Sequence, residues 1–284
     1  MPPTPQPIAL GVPASELGEG PCWDDANADL YWVDITAHRV HRLTRDGEHA
    51  SWDVRQPVGA VALRATGGLV LAAQDGFLAL DTASGGLASL AEIDHGRQGI
   101  RMNDGACDRA GRFFAGSMAN DETPGAGALY RLDPDHSVTR LITGVGISNG
   151  IGWSLDDTRM YYVDSLTYQV DVFDYDAVTG AIDGRRAFAS LGQGDVMPDG
   201  LAVDAEGSVW VAVWGGGAVH CYSPAGRLTQ VLELPAANVT SCAFGGAGMA
   251  TLYITTAAGP GRSGGAVFSC RPGAIGLPAN RYLG

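Results

Sequence analysis

Asp199-Gly200-Leu201-Ala202-Val203-Asp204 is followed, after a short turn, by the β-rich run Ser208-Val209-Trp210-Val211-Ala212. The first stretch consists of a polar residue, a glycine or other small residue, several apolar positions and a turn residue. The same step, with a β-rich run behind it, also begins at Glu19, Asn103 and Asn149. Short β-branched and aromatic runs separated by Gly, Pro, Asn and Asp are typical of strands joined by tight turns. The sequence therefore predicts a repeated strand-turn-strand unit.

The repeat covers the whole chain. Six strand pairs begin 39 to 48 residues apart, at Leu30, Leu69, Arg112, Met160, Ser208 and Leu252. This interval matches the roughly 40 to 50 residues of one four-stranded propeller blade. Each unit also contains a third strand, and turn signals then lead to a fourth, outer strand. Because almost no stretch has the apolar period of a helix, we predict an all-β fold, a six-bladed β-propeller of four-stranded antiparallel blades.

The repeats also predict how the chain is organised as a whole. No Pro/Ser-rich or charged linker interrupts residues 1–284, so we expect a single propeller domain. A ring of blades must close, and we expect either Ile8-Ala9-Leu10 or the tail Arg281-Tyr282-Leu283 to complete a blade begun at the other end of the chain. Units two and six have the step without a polar acceptor, at Val58-Gly59 and Thr240-Ser241-Cys242.

Composition excludes several classes of partner. The chain has 18 Lys and Arg residues against 31 Asp and Glu, a formal net charge of -13, which repels nucleic acid and anionic membranes. We expect neither as a partner. Residues 1–7 lack the basic flank and apolar core of a signal peptide, which favours a cytoplasmic protein. The five cysteines include no C-x-x-C pair, so we expect reduced, buried side chains. No sequence feature indicates an oligomeric state.

The polar residues of the repeated step are candidate ligands. In a propeller the first strand of each blade lines the central channel, so equivalent residues meet near one mouth. We expect Glu19, Asn103, Asn149 and Asp199 to converge there. Two carboxylates and two amide oxygens suit one hard divalent cation such as Ca²⁺, Mg²⁺ or Mn²⁺, and Zn²⁺ and Fe²⁺ remain open. Asn-Gly and Asp-Gly are common turn dipeptides, but recurrence in four of six repeats favours a site.

Several short elements of the sequence resemble those of the gluconolactonase and regucalcin (senescence marker protein) family. The resemblance runs from about Leu17 to the last blade, and its elements are specific in combination: Gly18–Pro21, Leu30–Ile35, Arg101–Gly105, Phe114–Met118, Ser148–Gly150, Pro198–Gly200 and Trp214–Gly216. The resemblance implies a six-bladed propeller with one catalytic divalent metal that hydrolyses lactones of aldonic sugars.

The resemblance also implies roles for individual residues. Glu19, Asn149 and Asp199 correspond to the family's metal ligands, and Arg101 and Asn103 correspond to its substrate contacts. A further acidic substrate contact follows the element Phe114–Met118 in the family. In this sequence Asp121 has the spacing and Glu122 has the residue type, so both are candidates.

The expected activity is hydrolysis of a carboxylic ester bond in carbohydrate metabolism, with an aldonolactone of gluconolactone, xylonolactone or arabinonolactone type as the small-molecule partner. Asp199 is the expected catalytic general base, because a carboxylate at the edge of a metal site can hold the attacking water. Arg101 and Asn103 would orient ring hydroxyls. Lewis-acid stabilisation of the oxyanion is the expected role of the metal.

Two other functions remain open. The first is another metal-dependent esterase or a phosphotriesterase on the same fold, and the second is a propeller that binds a divalent cation without catalysis. The G-x-S-x-G pattern at Gly146–Gly150 is a weaker signal, because a serine nucleophile of that type needs a following helix and a β-hairpin is expected here. Trp214, beside three glycines, is the tryptophan most worth testing as a sugar platform, and we expect Trp23, Trp153 and Trp210 in the core.

Overall fold

The computed structural model describes residues 6–96, 98–192, 194–259 and 264–284. Its 24 strands form six four-stranded antiparallel sheets, arranged as a six-bladed β-propeller. The predicted fold class is therefore confirmed. Within the described ranges the helical elements are two 3-10 turns, Ser165–Thr167 and Ala247–Met249. None of the described helical segments has the length and apolar character needed to cross a membrane.

Strand β1 (Ile8–Ala9) precedes the first three blades, each of which is built from four consecutive strands. Blade one comprises β2 (Gly18–Asp24), β3 (Asp29–Asp34), β4 (Arg39–Leu43) and β5 (His49–Asp53). Blade two comprises β6 (Val58–Leu63), β7 (Leu69–Ala73), β8 (Gly76–Leu80) and β9 (Leu87–Glu92). Blade three comprises β10 (Ile100–Cys107), β11 (Phe113–Ala119), β12 (Gly127–Leu132) and β13 (Val138–Val145).

The remaining blades continue in the same order. Blade four comprises β14 (Ser148–Trp153), β15 (Arg159–Asp164), β16 (Gln169–Asp176) and β17 (Ala181–Ser190). Blade five comprises β18 (Met197–Val203), β19 (Val209–Trp214), β20 (Ala218–Tyr222) and β21 (Leu228–Glu233). Blade six comprises β22 (Val239–Gly245), β23 (Thr251–Thr256), β24 (Phe268–Cys270) and the N-terminal strand β1.

The N-terminal segment closes the ring. Strand β1 pairs antiparallel with β24, where Ile8 lies opposite Ser269. This confirms one of the two closures expected from the sequence. The tail does not supply the fourth strand of blade six: Tyr282 instead forms an isolated parallel bridge with Arg64 of blade two.

Apolar side chains on the faces of neighbouring blades form the core. One cluster joins β3 of blade one to β7 of blade two through residues such as Val33 and Leu71, which are fully buried. Burial of one such side chain contributes about 1.5–3 kcal/mol, so the blades stabilise one another. The five cysteines are free and buried, as expected.

The first strand of every blade has a β-bulge within the repeated step. The pairing register shifts at six equivalent places, between Glu19 and Cys22, Val58 and Ala60, Met102 and Gly105, Ser148 and Ile151, Pro198 and Leu201, and Val239 and Ser241. A bulge leaves a residue out of the ladder and re-aims its side chain. The bulges therefore leave Asn103, Asn149 and Asp199 out of the ladder, whereas Glu19 remains paired with Val33 at the edge of its bulge.

Glycine at the bulge allows neighbouring first strands to approach closely. A Cβ atom at Gly59 would overlap the backbone of Asn103 in the next blade. A Cβ atom at Gly200 would likewise overlap the side chain of Ser241. Glycine is the residue that lets two backbones pack at this distance. Glycine therefore permits the close approach of first strands beside Asn149 and Asp199, where a Cβ atom at Gly150 or Gly200 would overlap the next blade.

Residues 271–284, the C-terminal strap, connect several blades. The strap bridges Asp204 of blade five through Gly276, and Arg281 pairs with Asp24 of blade one at 2.7 Å. The backbone N–H of Tyr282 donates to Leu63 of blade two at 2.8 Å. The strap thus joins segments that lie far apart in the sequence.

Candidate functional site

The polar residues of the repeated step meet in one cavity of about 200 Å³ at the mouth of the channel. The polar side chains of its lining are Glu19, Arg101, Asn103, Glu122, Asn149, Ser165 and Asp199. The apolar side chains are Leu17, Met118, Ile147, Met197 and Trp214. The convergence expected for the four oxygen-bearing side chains is therefore found, and each of the four is 4% exposed.

A chain of hydrogen bonds orders the amide side chains. Arg101 donates from Nη1 to Oδ1 of Asn103 at 2.5 Å. Asn103 in turn donates from Nδ2 to Oδ1 of Asn149 and to the carbonyl oxygen of Ser148, both at 2.7 Å. Since the Ser148 carbonyl can only accept, the NH₂ group of Asn103 must face this side. Both polar ends of the Asn103 amide are therefore engaged by protein groups.

Ser165 orients the Asn149 amide from the opposite side. Asn149 donates from Nδ2 to Oγ of Ser165 at 2.8 Å, and Ser165 donates to the carbonyl oxygen of Pro198 at 2.7 Å. The Oδ1 atom of Asn149 is thereby directed away from Ser165 and retains acceptor capacity beyond the bond from Asn103. Ser165 lies in the 3-10 turn after β15, outside the repeated step, and the sequence analysis did not identify it.

Two carboxylates are buried in this cavity. Burial raises the pKa of Glu19 well above its usual range, and the nearby charges of Asp199 and Asp104 raise it further. Burial likewise raises the pKa of Asp199, with Asp104 adding to the effect. The Oδ1 atom of Asp199 is buried without a hydrogen-bond partner in the part of the chain that the structure describes. A buried carboxylate oxygen in this condition is energetically costly unless a cation or proton compensates it.

Arg101 is the basic group of the cavity lining. Burial lowers the pKa of its guanidinium, while the charges of Glu19, Asp199 and Glu122 oppose that shift. Its bond to Asn103 leaves further donors of the guanidinium fork for a ligand. The cavity therefore combines the carboxylate and amide oxygens with one buried guanidinium group, that of Arg101.

The two acidic candidates after Phe114–Met118 have different positions. Glu122 lines the cavity, and its charge acts on Arg101. Asp121 is outside the cavity lining, and its Oδ1 atom accepts hydrogen bonds from the backbone and the hydroxyl of Thr123 at 3.2 and 2.7 Å. A positive φ of 55° at Glu122 lets the chain turn there. The structure thus brings Glu122, and not Asp121, to the other candidate residues.

Comparison with known proteins places this site in a family. The family model described as "SMP-30/Gluconolactonase/LRE-like region" matches residues 17–258. The chain belongs to this family. The match includes every candidate residue of the cavity, and the resemblance noted in the sequence is confirmed.

Individual members of the SMP-30/gluconolactonase family are similar over most of their length. The chain is 42% identical to regucalcin of Homo sapiens over 249 residues, which cover 84% of this chain and 83% of that protein. It superposes on a regucalcin of Agrobacterium tumefaciens, described as a calcium-binding protein, with a TM-score of 0.92 and 29% identity, covering 99% and 97% of the two chains. A luciferin-regenerating enzyme gives a TM-score of 0.93 at 28% identity, covering 98% and 99%.

The donor set fits the metal that this family resemblance implies. Glu19, Asn149 and Asp199 offer oxygen atoms only, and the unpartnered Oδ1 atom of Asp199 lies among them in a buried site. Hard divalent cations take such ligands. The described residues contain no group of three or more His, Cys, Asp or Glu side chains placed to hold a metal, so a site here depends on the amide of Asn149.

The other sequence signals have structural roles in this family member. Ser148, the serine of G-x-S-x-G, is fully buried and accepts a hydrogen bond from the Tyr162 hydroxyl at 2.8 Å. The hairpin from β14 to β15 follows it in place of a helix. Trp214 lines the cavity as the sequence suggested, whereas Trp210 is buried in the core.

Proposed function

We propose that this protein is a metal-dependent hydrolase that opens an aldonolactone to the aldonic acid. The observation that carries the proposal is the buried Oδ1 atom of Asp199, which has no protein partner in the described residues and shares one cavity with Glu19 and Asn149. Membership of the SMP-30/gluconolactonase family supports the proposal. Arg101 and Glu122 in the same cavity supply polar groups that cation binding alone does not need.

Glu19, Asn149 and Asp199 would hold the cation. When bound, a divalent cation would polarise the lactone carbonyl as a Lewis acid and offset the two carboxylate charges. We favour Ca²⁺ because all the donors are oxygens and a similar protein of known structure is described as calcium-binding. Mg²⁺, Mn²⁺, Zn²⁺ and Fe²⁺ are the alternatives to test.

Asp199 is the proposed general base. Its carboxylate accepts a proton from water as the water oxygen forms a bond to the lactone carbonyl carbon. The ring C–O bond then breaks, and the leaving alkoxide takes the proton from Asp199. The products are the ring-opened hydroxyl and the carboxylic acid, which ionises in neutral solution.

The remaining cavity residues position the substrate. Arg101 would donate hydrogen bonds to ring oxygens or to the product carboxylate, since its fork suits paired acceptors. Glu122 would accept from a sugar hydroxyl. The indole of Trp214 would cover the apolar face of the ring and exclude water from one side. Asn103 would position Arg101 and Asn149 rather than bind the substrate, because both ends of its amide already bind protein groups.

A hydrolysis assay with gluconolactone, xylonolactone and arabinonolactone tests the proposal. Protein treated with a chelator should be inactive, and adding back one divalent metal should restore turnover above the spontaneous ring opening. Aryl esters and phosphotriesters serve as comparison substrates. Failure to hydrolyse any lactone with any of the five metals would contradict the proposal, and faster turnover of an aryl ester or phosphotriester would favour the other hydrolase class.

Cation binding without catalysis is the second candidate, because a similar protein is described only as calcium-binding. The two functions differ in the behaviour of Glu19→Gln. A lactonase should lose metal affinity and turnover together in this variant. Loss of metal with no change in any hydrolytic assay would favour a protein that only binds the cation.

A further inference from the structure

The channel contains a second and larger cavity, of about 440 Å³. Its lining comes from later residues of the same six first strands, such as Cys22, Asp104 and Trp153. Because these strands run along the channel, this lower cavity lies on the side away from the candidate metal site. Residues Leu277 to Asn280 of the C-terminal strap form part of its wall. Its volume lies within the range of small-molecule sites, about 300–1,000 Å³.

The walls of the lower cavity are mainly apolar and aromatic. They include Trp23, Trp153 and Phe244, each at most 8% exposed. The Nε1 atom of Trp153 is buried and has no hydrogen-bond partner in the described part of the chain. A buried indole N–H without a partner is unusual in a folded protein.

Two carboxylates line the lower cavity: Asp157 is paired with Arg109, whereas Asp104 has no ion pair among the described residues. Asp104 is 7% exposed, and its Oδ1 atom accepts from the backbone N–H of Gly105 at 2.7 Å. Among the described residues no other hydrogen bond or ion pair to this carboxylate is present, so its Oδ2 atom is available to a ligand. Burial raises the pKa of Asp104 to about 6, so the Asp104 side chain is mostly ionised at and above neutral pH.

The charges around the lower cavity favour a cation. Asp104 carries the unpaired carboxylate, and its charge acts through the channel to raise the pKa of both Glu19 and Asp199. Arg109 at the rim is already bound, with Nη1 at 2.6 Å from Asp157 Oδ2 and 2.8 Å from the Leu155 carbonyl. The Arg109–Asp157 pair is therefore neutral as a whole, and Asp104 leaves the described lining residues with a net negative charge, which disfavours an anion. A bare metal ion is also disfavoured, because Asp157 is paired with Arg109 and the one unpaired carboxylate, that of Asp104, offers too few ligands.

We propose that the lower cavity is a second small-molecule site, which binds an organic ammonium ion with an apolar body. The ammonium group donates to Oδ2 of Asp104, and the apolar body packs against Trp23 and Trp153. Aromatic walls suit such ligands because an ammonium ion is attracted to the ring faces. This proposal is independent of the lactonase activity, since it concerns different side chains of the channel.

Calorimetric titration of the calcium-loaded protein with phenethylamine tests the proposal. We expect one binding site at neutral pH. The uncharged 2-phenylethanol, which has nearly the same shape, should bind at least about tenfold more weakly because it lacks the charge that Asp104 pairs with. Absence of phenethylamine binding at millimolar concentration, or equal binding of the alcohol, would overturn the proposal.

Three variants locate the amine site within the channel. Asp104→Asn should weaken phenethylamine at least about tenfold, whereas the matched change Glu122→Gln in the upper cavity should leave the affinity unchanged. Ala243→Leu adds bulk to the lower cavity wall and should also weaken binding, which provides a test if Asp104→Asn does not fold. Loss of binding in Glu122→Gln with retention in the other variants would place the amine in the upper cavity and refute the assignment.

Discussion

The Nδ2 atom of Asn103 lies 2.7 Å from the Oδ1 atom of Asn149, so the amide of blade three donates to the amide of blade four. The same Asn103 side chain accepts from Arg101 at 2.5 Å. The arginine on the substrate side and the amide proposed as a metal ligand are therefore joined through one residue. Loss of that residue should disturb both functions of the cavity.

Asn103→Ala should lower kcat/KM for the preferred lactone by about 10- to 100-fold, the usual effect of removing a group that orients a metal ligand. Metal affinity measured by calorimetry should fall less than in Asn149→Ala, because Ser165 still holds Asn149. Equal loss of metal affinity in the two variants would instead make Asn103 a ligand itself. Asn120→Ala, at an exposed asparagine, is the matched control.

Asp199→Asn should retain part of the metal affinity but lose turnover by about 100-fold or more, as expected for removal of a general base. The amide keeps one oxygen for the cation, yet it cannot accept the proton of water. Single-turnover kinetics with saturating metal separate the two effects. Normal turnover in this variant would remove Asp199 from the role of base.

Glu122→Gln should raise KM for a sugar lactone by about tenfold, the effect of losing one hydrogen bond to a charged group. Asp121→Asn is the matched control and should leave KM unchanged, because Asp121 is outside the cavity lining. Steady-state kinetics on one lactone are sufficient. The opposite result, with only Asp121→Asn affected, would mean that the substrate approaches from outside the cavity.

The stability of the metal-free protein should fall as pH rises above the ordinary carboxyl pKa, about 4, because Glu19 and Asp199 have raised pKa values in the folded state. The folded protein binds more protons there than the unfolded chain does. His41, whose pKa burial lowers to about 4, acts in the opposite direction. The His41 contribution is the same in the wild-type protein and in Asp199→Asn, so it cancels when the two are compared. The variant should show a smaller decrease in Tm as the pH rises.

Added Ca²⁺ provides the control for the pH experiment. The cation replaces the proton between the carboxylates, so the decrease in Tm toward high pH should be reduced in the wild-type protein. An unchanged pH profile after addition of every candidate metal would indicate that these carboxylates do not hold a cation.

Tyr282 should anchor the C-terminal strap. Its side chain is fully buried, and its hydroxyl donates to the Asp133 carbonyl at 2.9 Å. Tyr282→Phe should lower the free energy of unfolding by about 1 kcal/mol, and Tyr282→Ala by about 3–5 kcal/mol. Denaturant unfolding measures both. Ile275→Ala, at an exposed position of the same strap, should change stability by about 0.5 kcal/mol or less.

Much of the fold follows from local patterns. The runs at Leu30–Asp34 and Met160–Asp164 have the β-branched and aromatic composition of buried strands, and their spacing is that of propeller blades. The recurring acceptor at Glu19, Asn149 and Asp199 could be recognised because repeats in a ring place equivalent residues together. Each of these features can be recognised within a short segment of the chain.

Other parts of the site carry no local signal. Ser165 is one serine among many, and its bond to Asn149 depends on a 3-10 turn beside the next blade. Glu122 and Asp121 are adjacent in sequence, and only the turn of the backbone at Glu122 separates their positions. The lower cavity was not expected, because its walls come from all six blades and from the C-terminal strap.

The amino-acid sequence alone establishes the number of blades, the all-β class and the oxygen-bearing residue in four of the six first strands, since these are properties of short segments and their spacing. Folding into a ring determines that Ile8 and Ala9 close blade six, that Asn103 faces Asn149, and that Asp199 keeps an oxygen without a protein partner in the described chain. The physical reason is distance along the chain: these contacts join residues of different blades, and their geometry exists only after all six sheets have packed around one channel.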